Sequence, residues 1–160
     1  MHSLRVAPVR DIPAETLYRL LWLRVTVFVV EQRAAYPELD GRDLEPDAEL
    51  LWVEEDGEVL ATARVLRDDG ADRARIGRVA TASTARGRGF GAELMRAAVQ
   101  RIAWRWPQAA IALDAQEHLA EWYGQFGFEI SGPRFAEDGI PHVPMLRPAG
   151  GGGRLSDARE

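Results

Sequence analysis

Apolar positions fall into two rhythms in the first half of the chain. Leu17, Leu20, Leu21, Val27 and Phe28 recur near the helical period within Ile12–Gln32, which is entered through Asp11 and Pro13 and therefore predicts a long helical region. The same stripe includes an arginine, Arg24, and the β-branched run that follows Val25 works against an unbroken helix. Ser3–Val9 reads as a short first strand. Leu50–Asp69 holds two β-rich runs around Asp56-Gly57, the dipeptide best suited to the positive φ angles of a tight hairpin.

The second half continues the pattern. Ala74–Thr81 reads as a strand, Ser83–Gly91 as a loop, and Ala92–Trp106 as an amphipathic helix with Leu94, Ala98, Ile102 and Trp106 at four-residue spacing, ended by Pro107. Ala109–Ala115 is a strand of buried character, Glu117–Phe126 a short helix stopped by Gly127, and Gly127–Ser131 and His142–Leu146 the last strands. Between the first helical region and the hairpin, Glu38–Glu49 carries Glu38, Asp40, Asp43, Glu45, Asp47 and Glu49 against Arg42 and reads as a solvated surface loop, with steering of a cation as its functional alternative. The order predicts an α/β fold, a central mixed sheet with helices packed on it, in one domain over residues 1–148. Residues 149–160, with their glycine run, read as a flexible tail.

Composition removes several function classes. At 160 residues the chain can bury a core without staples, and with no cysteine it has no disulfide framework, protein thiolate or cysteine-ligated zinc; no metal is expected. The first residues show no export signal, and the longest apolar stretch, Leu20–Val30, is short and broken by Arg24, so a cytoplasmic protein without membrane attachment is expected. The formal net charge is −5, which argues against nucleic acid as a partner, and all 20 basic residues are arginine. Without lysine there is neither Schiff-base chemistry nor a lysine-bearing P-loop.

The segment Arg86-Gly87-Arg88-Gly89-Phe90-Gly91, between a strand and a helix, is the strongest chemical signal. Glycines leave backbone N–H groups open to close approach, and a helix N-terminus favours an anion. Gly87, Gly89 and Ala92 also satisfy the dinucleotide pattern, but the first acid past the helix, Asp114, stands 27 residues beyond Gly87, where about 20 are expected. A loop whose glycines serve geometry alone is the third reading.

The same six residues resemble the R/Q-x-x-G-x-G/A pyrophosphate loop of the GCN5-related N-acetyltransferases, and Trp122–Glu129 (WYGQFGFE) resembles that family's Y-x-x-x-G-F ending. The resemblance covers the element order from about residue 4 to 147. Val27–Gln32 (VFVVEQ), Ala115–Tyr123 (AQEHLAEWY) and Glu137–His142 (EDGIPH) are similar to the ElaA-like branch, small bacterial proteins of poorly defined substrate. Two departures stand out: Glu49 takes the place of that branch's usual histidine, and Arg33–Tyr36 that of a cysteine-containing stretch.

The resemblance implies an acetyltransferase fold that uses acetyl-coenzyme A to acylate a primary amine by direct attack, or, alternatively, a non-catalytic acyl-coenzyme A binding module. It implies that N–H groups of Gly87, Arg88, Gly89, Phe90, Gly91 and Ala92 meet the pyrophosphate, with charge from Arg86 and Arg88. Val79, Ala80 and Thr81 would run beside the thioester. Tyr123 would protonate the departing thiolate. Glu31, at the end of an apolar helix where burial would raise its pKa, is the candidate base ahead of His118 and His142, with a capping or paired acid as its structural alternative and ordered water as the alternative base. A homodimer is the common outcome for such folds.

Overall fold

The computed structural model describes residues 1–68 and 72–150. Its elements are β1 (Ser3–Ala7), α1 (Ala14–Val25), a π-helical segment (Thr26–Glu31), β2 (Glu49–Glu55), β3 (Glu58–Asp68), β4 (Arg73–Thr81), α2 (Phe90–Arg105), β5 (Ala110–Gln116), α3 (Ala120–Gly124), β6 (Glu129–Ile130), β7 (Phe135–Glu137) and β8 (Ile140–Arg147). The expected end of the hairpin at residue 69, and the tail from 151 on, lie outside the described residues.

These elements form two compact units, Met1–Arg67 with Ile76–Ala98, and Asp68–Arg75 with the chain from Val99 on. In the first unit the strand order is β1-β2-β3-β4, with β1 and β3 both antiparallel to β2. Asp56 and Gly57 have φ of 53° and 79°, the two positive angles that the Asp-Gly signal demands, and they close the β2–β3 hairpin at Glu55↔Glu58. A register shift between Val53 and Glu54 has no counterpart in the alternation of the sequence. Ile12, Leu20, Leu50 and Trp52 form one buried cluster; Leu23, Val27 and Ala80 form another, supported by Phe28. Truncating Leu20, which is 0% exposed, to alanine would cost about 2–5 kcal/mol.

The expected long helix is two structures. Thr26 Oγ1 donates to the Trp22 carbonyl at 2.8 Å, a bond that competes with the regular ladder, and from Thr26 the β-branched run widens into a π-helix. Pro8 shortens the first strand, since the chain turns into a 3₁₀ helix at Val9–Asp11.

The acidic stretch departs most from expectation. Glu38 is 3% and Asp43 9% exposed, because Arg24, itself fully buried on α1, donates through Nε to Glu38 at 2.7 Å and through Nη1 and Nη2 to Asp43 at 2.7 and 3.2 Å. Arg64 of β3 grips Asp40 at 2.8 and 3.1 Å. Glu38 and Asp43 are buried and Asp40, though exposed, is held as well, so all three are committed to arginines.

In the second unit the first residues of β4 pair in parallel with β5, from Arg73↔Ala110 to Arg75↔Ala112, and β8 runs antiparallel to β5 from Ile111↔Arg147 to Gln116↔His142. The sheet is therefore mixed, with β6 and β7 both on β8. A parallel pair needs a long crossover, and α2 lies on it. The helix expected over Glu117–Phe126 is shorter, a 3₁₀ turn at Glu117–Leu119 followed by α3. Asp138 and Gly139, with φ of 51° and 78°, repeat the hairpin signal and join β7 to β8, a strand pair the sequence reading did not separate.

Candidate functional site

In the first unit β4 carries Val79, Ala80 and Thr81 to its end. Ala80 is buried against Leu23 and Val27, while Val79 and Thr81 are half-buried. Ala82 N–H donates to the Leu60 carbonyl at 2.8 Å, and a 3₁₀ turn over Ser83–Ala85 seats Ala85 in the core. Arg86 follows in extended conformation. Gly87 and Gly89 then take φ of 84° and 83°, the left-handed region that penalises any residue with a Cβ. A Cβ at either would meet nothing within 4 Å, so the glycines answer to backbone conformation and leave the ground beside the loop open. Left-handed residues alternating with ordinary ones are the geometry of anion-binding nests.

Glu93 N–H donates to the Gly89 carbonyl at 3.1 Å, which makes Gly89 the residue where α2 begins. The first N–H groups of the helix have no partner within it and carry the positive end of its dipole. Phe90 is 3% exposed, with the Arg88 guanidinium 4.7 Å from its ring centroid and His2 edge-on at 4.9 Å. The helix start is thus anchored by an aromatic ring.

Both loop arginines have carboxylate partners. Arg86 donates from Nη2 to Glu31 Oε2 at 2.6 Å and from Nε to the Thr81 carbonyl at 3.3 Å. Arg88 donates to both oxygens of Glu55, at 2.9 and 3.5 Å, and that hydrogen bond lowers the Glu55 carboxyl below its ordinary pKa. Glu31 stands exposed at the end of the π-helix, so the expected apolar setting is replaced by an ion pair. Glu55 was missed in the sequence because it reads as one more polar position of a hairpin strand.

In the second unit Tyr123 lies on α3, half-buried, edge-to-face with Trp122 at 4.8 Å. Burial pushes its hydroxyl up to about 12, and that hydroxyl has no hydrogen-bond partner among the described residues. His118 is exposed on the turn before α3. His142 is better defined: Nδ1 lies 2.8 Å from the Ile140 carbonyl, which only accepts, so Nδ1 carries the proton and Nε2 keeps a lone pair in the neutral ring. Phe135 stacks on that ring at 5.7 Å, and Glu137 lies 3.9 Å from Nε2. Among the described residues no three histidine, aspartate or glutamate side chains cluster as metal ligands, and no helix is long and apolar enough to cross a membrane.

A family model described as acetyltransferase (GNAT) domain matches residues 23–147. The chain belongs to this family. Within GNAT proteins it falls in the ElaA-like branch: protein ElaA of Escherichia coli K12 is 38% identical over 86% of this chain and 90% of its own length. A UPF0039 protein of Mycobacterium tuberculosis H37Rv is 45% identical over 93% of this chain and 95% of its own. Among solved structures, an acyl-CoA N-acyltransferase from Pseudomonas aeruginosa superposes with a TM-score of 0.87 at 39% identity, covering 92% of this chain and 99% of that one. The mixed sheet with flanking helices is the GNAT acyltransferase fold, a family that uses acyl-coenzyme A.

Proposed function

We propose that the protein transfers an acetyl group from acetyl-coenzyme A to the nitrogen of a primary amine by direct attack, in the cytoplasm. The observation that carries this reading is the loop from Arg86 to Ala92: two left-handed glycines, alternating with Arg86 and Arg88, lead into the N-terminus of α2 a short turn after β4. Those donors suit a pyrophosphate, whose two adjacent phosphoryl groups each carry a negative charge. The family membership and the P. aeruginosa acyltransferase support the acyl chemistry.

In this scheme the amine lone pair attacks the thioester carbonyl carbon, the oxyanion forms near the Val79–Thr81 backbone, and the C–S bond breaks. The nitrogen loses a proton and the sulfur gains one. Tyr123 is the proton donor to sulfur. A pKa near 12 keeps it protonated throughout the physiological range; because a thiolate with a reference pKa of about 8.5 is the weaker base, full transfer runs uphill, so the hydroxyl stabilises the departing sulfur by donating a hydrogen bond and solvent replaces the proton it gives up. Glu31 serves as base only when Arg86 turns from it to phosphate; His142, with its Nε2 lone pair fixed by the Nδ1 contact, is the better-prepared histidine. His118 has no such arrangement.

The test is release of free thiol from acetyl-coenzyme A across an amine and peptide panel, with coenzyme affinity measured by calorimetry alongside. Amine-dependent release supports the enzyme. Tight binding without release from any amine supports the binding module, and no binding removes the loop assignment.

A further inference from the structure

Arg78 lies in the middle of β4 with φ of 52°, a left-handed angle that a strand residue with a side chain rarely adopts. Its side chain is anchored by hydrogen bonds from Nη2, while Nε, although beside a carboxylate, makes no hydrogen bond. Nη2 donates to the Glu38 carbonyl at 3.0 Å and to Asp40 Oδ2 at 3.2 Å, Nε stands 3.0 Å from Glu38 Oε1, and the guanidinium lies 5.5 Å from the centroid of the Tyr36 ring.

Those partners are themselves fixed. Glu38 is tied to the buried Arg24 of α1, Asp43 takes the fork of the same arginine, and Asp40 takes the fork of Arg64 from β3. Arg24, Arg64 and Arg78 balance Glu38, Asp40 and Asp43 in charge, so the segment Tyr36–Asp43 is stapled to three elements at once. A left-handed residue breaks the alternation of a strand and re-aims every backbone group after it. After Arg78 come Val79, Ala80 and Thr81, and burial of Ala80 against Leu23 and Val27 fixes which way they are turned.

We propose that Arg78, gripped by Tyr36, Glu38 and Asp40, is a positioning residue: it holds the left-handed turn in β4 that aims the Val79–Thr81 backbone at the acyl thioester. The assignment to a thioester rests on the function proposed above. The grip on the strand does not. The acidic segment thereby acquires a role as a clamp behind the reacting strand.

Three variants test it: Arg78→Gly, which accepts the left-handed angle but has nothing to grip; Arg78→Ala, which loses both; and Asp40→Asn, which weakens the grip from the partner side and leaves the arginine in place. Amide hydrogen exchange at Val79, Ala80 and Thr81 is read against Leu51 and Val53 of β2, in protein without ligand. The clamp predicts exchange at the three β4 amides of Arg78→Gly and Asp40→Asn that rises at least roughly tenfold more than at β2, whose change reads any general loss of stability. Calorimetry with acetyl-coenzyme A and with coenzyme A follows: the preference between the two should change in the same variants while affinity for coenzyme A holds. Exchange in Arg78→Gly equal to that of the parent overturns the proposal, as does a rise shared equally with β2, which marks a general loss of stability. If Arg78→Ala does not fold, the other two variants decide. Failure of the parent protein to bind coenzyme A would overturn the proposed function and leave the exchange result to judge the clamp.

Discussion

Glu31 and Arg86, 55 residues apart, meet with Nη2 donating to Oε2 at 2.6 Å, while the same guanidinium reaches the Thr81 carbonyl through Nε. One side chain therefore connects the glycine loop, the end of β4 and the end of the π-helix. A phosphate arriving at the loop competes with Glu31 for this arginine. Replacing Glu31 with glutamine removes the competitor and a nearby negative charge, so affinity for coenzyme A should rise about two- to fivefold, within the ~1 kcal/mol that an exposed pair supplies. Calorimetry reads it directly. Affinity that stays the same or falls shows that Arg86 does not serve the coenzyme.

The loop itself is tested at Gly89. Because a Cβ there meets nothing within 4 Å, the Gly89→Glu variant should fold, at a cost of about 1–2 kcal/mol for the left-handed angle. It should lose coenzyme binding altogether, since a carboxylate then occupies the side where the N–H groups await an anion. A folded variant with the parent's affinity for coenzyme A would place the pyrophosphate elsewhere.

Asp40 makes an acid-stability prediction. Burial acts to raise its pKa, but hydrogen bonds from Arg64 and the Arg42 N–H, with the charges of Arg64 and Arg78, outweigh it and hold the carboxyl at about 2 against an ordinary 3.8. A group depressed in the folded state contributes stability above its unfolded pKa and loses it as pH falls toward the folded one. Solvent screening limits the contribution to on the order of 1 kcal/mol. Melting temperatures of the parent and Asp40→Asn should therefore differ at pH 5 to 7 and converge between pH 4 and 2. Equal separation at every pH would mean that the asparagine disturbs packing rather than charge.

Arg24 predicts a larger loss. It is 0% exposed, and Arg24→Met would take the main partner from the buried Glu38 and Asp43, leaving Arg78 at 3.0 Å from the one and Arg64 at 3.5 Å from the other, at a cost of up to about 3–5 kcal/mol in denaturant unfolding. A change under about 1 kcal/mol would show that water relaxes into the cluster.

Periodicity reached Arg24 but not its meaning. Its place on the apolar stripe with Leu20 and Val27 was legible, as were the Asp56-Gly57 hairpin and the glycine loop, because each depends on local backbone rules. The burial of Glu38 and Asp43 was not, since partners 14 and 19 residues away leave no periodic trace. Arg78 was hidden for the same reason: a left-handed residue that is not glycine has no composition signal, and only tertiary partners sustain it. The tie between Glu31 and Arg86 likewise joins two positions that each look like ordinary polar ends of elements.

The enzyme and binder readings separate at Tyr123. Its ring packs edge-to-face with Trp122, and its hydroxyl has no hydrogen-bond partner among the described residues, so Tyr123→Phe keeps the packing and should leave the melting temperature within about 1–2 °C of the parent. Coenzyme affinity should hold. If the hydroxyl protonates the departing sulfur, turnover with any accepted amine should fall on the order of 10²-fold, the low end for general-acid catalysis. Burial holds the hydroxyl at about 12, so the proton stays on tyrosine from pH 6 to 10 and the parent's rate shows no limb from its ionisation there. The rate ratio of parent to variant should accordingly stay large through that range and shrink only where solvent begins to strip the proton. A ratio near one at every pH, in a variant that binds coenzyme A and acylates amines, would remove Tyr123 from the chemistry and leave water to protonate the thiolate.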